Sequence, residues 1–211
     1  LINGISGIGT GFSCSIPAFS PTQIIDYLRF KLRGDDVKAA GEFAPYYEGF
    51  KGTVSLLSEN KYLVRGVYEK MGDDKIRITE LPIGVWTMPY TSFLEGLMDG
   101  RTDKSGKKVA PLIRDFTSIC TEVSVDITIV LPRGKLTELE SSTDPVTGIN
   151  GIEKLFKIST TVSTTNMHMF NADCQLRKYD TAREIVDEYF GTRLQLYSSR
   201  KAHIIEQTTL E

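Results

Sequence analysis

Apolar positions along this chain switch repeatedly between a helical and a strand period. Ile24, Ile25 and Leu28 recur at helical spacing and the run reaches Leu32 before Gly34. Ser20 is placed to cap that helix, Pro21 to occupy its first position, Gln23 to close a capping box and Gly34 to stop it. Residues 50–82 are rich in β-branched and aromatic side chains and predict three strands joined by the turns "SEN" and "GDD". "MPYTSFLEGLMDG" predicts a short helix ending at glycine, and "KKVAPLIRDF" another with Pro111 near its start. In "EVSVDITIVLP", Val123, Val125, Ile127, Ile129 and Leu131 alternate with Glu122, Ser124, Asp126 and Thr128, the pattern of a strand with one wet side.

"SSTDPVTGING" predicts a loop. "FKISTTVSTTNMHMFN" and "CQLRKYD" predict two strands joined by a turn near Asn171–Asp173. From Thr181 the period returns to helical, with Thr181 and Glu184 as a second capping box. Ile185, Tyr189 and Arg193, then Val186, Phe190 and Leu194, carry it towards the C-terminus. Strands interleaved with a few helices give an α+β fold: a mixed, largely antiparallel sheet with covering helices, followed by a long C-terminal helix.

The 211 residues suffice for one large domain or a domain with an appendage. With 40% hydrophobic and 25% charged residues and no apolar run long enough for a bilayer, the composition is that of a soluble globular protein. Cys14, Cys120 and Cys174 show neither a pairing signature nor metal spacing, which points to a reducing compartment. The chain starts at Leu1 and ends in "HIIEQTTLE", which reads as a helix cut partway, so an excerpt of a longer polypeptide is expected. A net charge of -2 does not suggest a nucleic-acid binder, although whole-chain charge says little about a local stripe. His168 and His203 are isolated and receive no role.

The most unusual stretch is "GISGIGTG", residues 4–11, with four glycines in eight positions and Ile8 between two of them. A phosphate loop fits poorly, because the G-x-G-x-x-G spacing, a preceding strand and a Lys-Ser/Thr pair are all missing. A tight turn with Ile8 tucked into the core is the plain reading. The third is a wedge: an apolar side chain on a slim loop that enters between base pairs and kinks a duplex.

"LINGISGIGTGFSCSIPAFSPTQII" resembles the segment that follows the catalytic tyrosine in eukaryotic-type DNA topoisomerase II. The resemblance continues through "FAPYYEGFKGTV", "IRITELPIGVWT" and "FKISTTVSTTNMHMFN....LRKYDTAREIVDEYFGTRLQLYSSRK", so it covers the chain end to end. It implies that Ile8 intercalates into the duplex to be cut. Gly7, Gly9, Thr10, Gly11 and Ser13 would shape the loop and contact DNA. It further implies DNA contacts along Lys157, Ile158, Ser159, Thr160, Thr161, Val162, Ser163, Thr164, Thr165 and Asn166, a lysine and a run of hydroxyls suited to phosphates rather than base edges. The alternative for that run is an ordinary Thr-rich, half-exposed strand. Glu48 stands where the family usually carries Arg or Lys, so no contact is assigned there.

The resemblance also implies an organisation: residues 1–16 as a DNA-contacting loop at the end of the shoulder, 17–180 as the tower domain, and 181–211 as the start of a coiled-coil arm. Catalytic tyrosine, Mg2+ and ATP would all lie outside this stretch, in a parent enzyme that is a homodimer acting on double-stranded DNA, with no membrane partner. Its setting would be the nucleus for a cellular enzyme, or the host cytoplasm or virus factory for a viral one. A gyrase A or topoisomerase IV fragment, or a non-enzymatic DNA-bending module, is the alternative.

Overall fold

The computed structural model describes residues 1–36, 41–100 and 110–210. In chain order its strands are β1 (Ile5–Gly9), β2 (Phe12–Ile16), β3 (Thr53–Ser58), β4 (Lys61–Arg65), β5 (Val67–Lys70) and β6 (Lys75–Glu80). They continue with β7 (Asp115–Ser118), β8 (Ile127–Val130), β9 (Ser159–Ser163), β10 (Met167–Phe170) and β11 (Leu176–Tyr179). The helices are α1 (Pro21–Arg33), α2 (Thr87–Met98), α3 (Lys135–Ser141), α4 (Gly151–Leu155) and α5 (Ala182–Leu210). The fold is α+β, with antiparallel strand pairings and a long helix at its end, as the sequence pattern predicts.

The chain divides into two compact units, one formed by Leu1–Tyr47 with Ser163–Glu211 and the other by Glu48–Val162. In the first, β1–β2 and β10–β11 are two-stranded hairpins. Their core gathers Ile16, Phe19, Tyr27, Phe43, Met167, Tyr179, Ala182 and Val186. Helix α1 starts and stops where the sequence signals place it, but only half of its capping box forms. The Ser20 hydroxyl accepts from the Gln23 N–H at 3.5 Å, while the Gln23 amide donates to the Glu42 carbonyl instead of returning to Ser20. At α5 the Thr181 hydroxyl accepts from the Glu184 N–H at 3.2 Å, and the Glu184 carboxylate reaches one residue further back, to the Asp180 N–H. Helix α5 runs unbroken through Gly191, and every residue from Arg193 to Leu210 is exposed.

The second unit holds a three-stranded sheet in the order β3-β4-β9 and a four-stranded sheet in the order β5-β6-β8-β7. Residues 53–80 form four strands rather than three, because Gly66 hands the chain from one sheet to the other. Its N–H donates to the Ile158 carbonyl at 2.8 Å, and a Cβ there would stand 2.2 Å from the Glu80 carbonyl oxygen. A side chain has no room, so the break is built into the sequence as a glycine.

Three further expectations are corrected. Residues 107–109 of the expected "KKVAPLIRDF" helix lie outside the described residues, and residues 110–114 form no helix but bend at Leu112 and Arg114 before β7 begins at Asp115. The faultless alternation of residues 122–132 yields only the four-residue β8. A bond from the Thr121 N–H to the Ser124 carbonyl folds the preceding residues into a turn, leaving Val123 95% exposed. "FKISTTVSTTNMHMFN" gives two strands, β9 and β10, not one. The Ser163 hydroxyl accepts from the Thr165 N–H at 3.3 Å, a local side-chain turn that competes with the ladder. Helices α3 and α4 have no counterpart in the predicted pattern. Helix α4 has a complete capping box, with Asn150 inside the expected "SSTDPVTGING" loop and Glu153 just beyond it.

Candidate nucleic-acid interface

The glycine-rich stretch is not a loop but a hairpin. β1 and β2 pair residue for residue from Ile5↔Ile16 to Gly9↔Phe12, closed by the two-residue turn Thr10–Gly11. Gly11 sits at φ 85°, the left-handed region that short hairpin turns require. Directly paired residues share a face of a two-stranded sheet. Ile5, Gly7, Gly9, Phe12, Cys14 and Ile16 form one face, and Ile16 and Cys14 bring it to the core. Ser6, Ile8, Ser13 and Ser15 form the other.

On that second face Ile8 is 94% exposed, directly across from Ser13. The core reading of Ile8 is therefore excluded. The neighbouring glycines differ in their reasons. A Cβ at Gly9 would meet the Phe12 ring at 2.8 Å, whereas one at Gly7 would meet nothing within 4 Å. Packing inside the hairpin explains Gly9 and leaves Gly7 without an internal reason.

Asn166, just before β10, ties the hairpin down. Its carbonyl accepts from the Ser15 N–H at 2.8 Å and its side-chain amide donates to the Ser13 hydroxyl at 2.9 Å. Its side-chain oxygen lies 2.9 Å from Nδ1 of His168. His168 is thus the residue that sequence reasoning missed. The signal was available: Asn166-x-His168 leading into a strand puts both side chains on one side, since strand side chains repeat every second residue. Nearby, Thr164 is buried, Thr165 exposed, and the Ser163 and Thr165 hydroxyls bond each other at 2.9 Å.

Lys157 to Val162 belong to the other unit. Ile158 is fully buried, its N–H donating to the Glu153 carbonyl and its carbonyl accepting from Gly66, so it has neither side chain nor backbone to offer a ligand. Ser159, Thr160 and Val162 are half-buried along β9, and Thr161 is exposed. Lys157 is exposed and adopts φ 51°, just past the C-terminus of α4. Glycine is the residue that usually takes this left-handed position after a helix. The Lys157 ammonium stands 4.3 Å from the centre of the Phe93 ring on α2, a cation–π contact that fixes where the charge sits. The predicted positions thus fall into two groups, the hairpin with Ser163–Asn166 in one unit and Lys157–Val162 in the other.

The A-subunit family of DNA gyrase/topoisomerase IV matches residues 1–211. The chain belongs to that family. It is 38% identical over 211 residues to the DNA topoisomerase 2 of Bombyx mori, covering 100% of this chain and 12% of that protein. It is 36% identical over 206 residues to the DNA topoisomerase 2 of Pisum sativum, covering 97% of this chain and 13% of the relative. Among solved structures it is similar to the Plasmodium falciparum topoisomerase II DNA-binding, cleavage and re-ligation domain. There the TM-score is 0.85 and the identity 33%, over 98% of this chain and 26% of the other. The chain therefore spans about an eighth of the length of the two topoisomerases it resembles, and the family fold extends over nearly all of it.

Proposed function

We propose that this chain is the part of a type II DNA topoisomerase that grips one DNA duplex and bends it for cleavage, with Ile8 as the wedge. The observation that supports this most is the exposure of Ile8 at the centre of a hydroxyl-bearing hairpin face, in a chain whose relatives are DNA topoisomerases. Magnitudes favour a wedge. Unstacking one base step costs a few kcal/mol, and burying an isoleucine side chain returns about 1.5–3 kcal/mol. Ile8 therefore offsets most of the local cost, while phosphate contacts hold the bend.

In this reading Thr10 and Ser13 bond sugar and phosphate, and the Gly7 and Gly9 backbone lies close to the groove. Lys157 and the exposed hydroxyls near it contact phosphates without reading bases. Lys157 keeps a strained backbone where glycine would cost less, as expected when the ammonium itself is needed. Residues 1–16 serve as the DNA-contacting end of the shoulder, 17–180 as the tower and 181–211 as the start of an arm that meets its counterpart in a homodimer.

Mg2+ and ATP serve the parent enzyme in the reading. Among the described residues no three His, Cys, Asp or Glu side chains stand together as metal ligands would, and the work assigned to this chain is binding and bending only. No helix among them is long and apolar enough to cross a membrane. A nuclear setting accompanies the reading for a cellular enzyme.

The test is Ile8→Ala in the full-length enzyme. Melting should shift little, because an exposed side chain leaves no cavity, while fluorescence energy transfer across a bound duplex should report a straighter DNA. A duplex bent as sharply by the variant as by the wild type would overturn the wedge.

A further inference from the structure

Ser13, directly across the hairpin from Ile8, takes part in a hydrogen-bond chain whose direction follows from how the Asn166 amide is turned. The Asn166 side chain bonds at both ends, its nitrogen to the Ser13 hydroxyl and its oxygen to Nδ1 of His168, each at 2.9 Å. In this orientation the amide oxygen accepts, so Nδ1 of His168 carries the proton. An amide nitrogen only donates, so the Ser13 oxygen is an acceptor in this pair and its own hydrogen is left to point elsewhere. The chain therefore runs one way, from His168 through Asn166 to Ser13, and ends on an outward hydroxyl donor beside the exposed isoleucine. Bonds linked in this way strengthen one another.

We infer that His168 is a positioning residue for DNA: through Asn166 it sets the Ser13 hydroxyl as a donor to the phosphate next to the step that Ile8 enters. This rests on the wedge reading above and adds to it a residue that the sequence left without a role. The same chain, with the Ser15 N–H to Asn166 carbonyl bond, registers the wedge against β10, so the donor and Ile8 present themselves together.

A plain structural role for His168 would also weaken the protein when removed, so the test is a double-mutant cycle in the full-length enzyme, read as duplex affinity by fluorescence anisotropy. His168→Ala should lower affinity about five-fold, the size of one neutral hydrogen bond. In a Ser13→Ala background the same change should have almost no further effect, because the hydroxyl through which it acts is gone. His168→Asn, whose amide nitrogen falls where Nδ1 stands, should restore most of the loss. Equal losses in the two backgrounds, or no rescue by Asn, would overturn the inference. Ile8→Ala, run alongside, separates the two claims: bending that depends on Ile8 with an additive cycle sinks only the His168 role, and bending indifferent to Ile8 sinks the wedge.

Discussion

The same residue type meets opposite fates in the two units. In the four-stranded sheet Ile76, Ile78, Ile127 and Ile129 are all completely buried, whereas Ile8 in the β1–β2 hairpin is almost completely exposed. Both settings are antiparallel ladders with alternating faces. The difference is what lies over them. The sheet face is covered by Tyr90, Leu94 and Leu97 of α2, with Ile113, Leu136 and Ile152 in the same cluster. Only one face of the hairpin reaches a core, through Cys14 and Ile16, and the Ile8 face carries serines. Ile8 stands on the serine side, outside any core. In the reading proposed above, the duplex it enters is what covers it.

The sharpest contrast comes from deleting both. Ile129→Ala should cost about 2–5 kcal/mol, since the site is closed on every side and the cavity cannot collapse. Denaturant unfolding would show it as a lower midpoint at unchanged slope. Ile8→Ala in the same assay should stay within about 0.5 kcal/mol of wild type. Similar losses at both positions would dissolve the comparison.

Next in size is Gly66→Ala, which should destabilise by about 1–3 kcal/mol by overpacking. The atom its Cβ would strike is the Glu80 backbone oxygen, which cannot rotate away. A variant melting like the wild type would mean that the chain can pass between the sheets without a glycine.

These residues also show how far the sequence can be read. Helix α1 and helix α5 are legible because their caps and periods are local. Alternation places Ile8 among serines, but whether that face is covered depends on residues far along the chain, so only family resemblance raises the wedge above the core. Gly66 reads as one glycine in a long strand, because the carbonyl it must avoid is Glu80's and its bond goes to Ile158. The alternation of residues 122–132 promises a long strand, and a Thr121–Ser124 turn overrides half of it. Lys157 is legible as a charge, not as a left-handed residue pinned over Phe93. His168 reads as an isolated histidine until its neighbour two residues earlier is considered with it.

A smaller effect tests the first unit from inside its core. The Tyr27 hydroxyl donates to Asp187 at 2.7 Å, and Lys31 donates to the same oxygen at 2.5 Å. Burial first, then the bond to Asp187, pushes the Tyr27 pKa up from 10.0 to about 12. The folded protein thus favours the neutral phenol more than the unfolded chain does. That preference stabilises fully below pH 10 and is lost as pH rises towards 12. Thermal melts of the wild type and Tyr27→Phe should therefore differ most below pH 10 and converge above it. A gap that widens with alkali would contradict the sign.

The smallest expected change in stability returns to the hairpin, at Gly7. Its backbone is not in the left-handed region and its missing Cβ would touch nothing. A glycine in a strand costs conformational entropy without packing in return. Gly7→Ala should therefore leave the protein equally stable or raise its stability by about 0.4–1 kcal/mol. Gly9→Ala, where the Phe12 ring stands in the way, should lower it. The Cβ added at Gly7 would leave on the face opposite Ile8, so a duplex seated on the serine face should be bound as tightly by Gly7→Ala as by the wild type. If Gly7→Ala binds DNA more weakly although it melts no lower, the duplex reaches the other face of the hairpin as well, and the contact surface is wider than Ile8 and its hydroxyl neighbours. Measuring melting temperature and duplex affinity on the Gly7 and Gly9 variants side by side decides it, because binding is expected to stay level at Gly7 and to follow folding at Gly9.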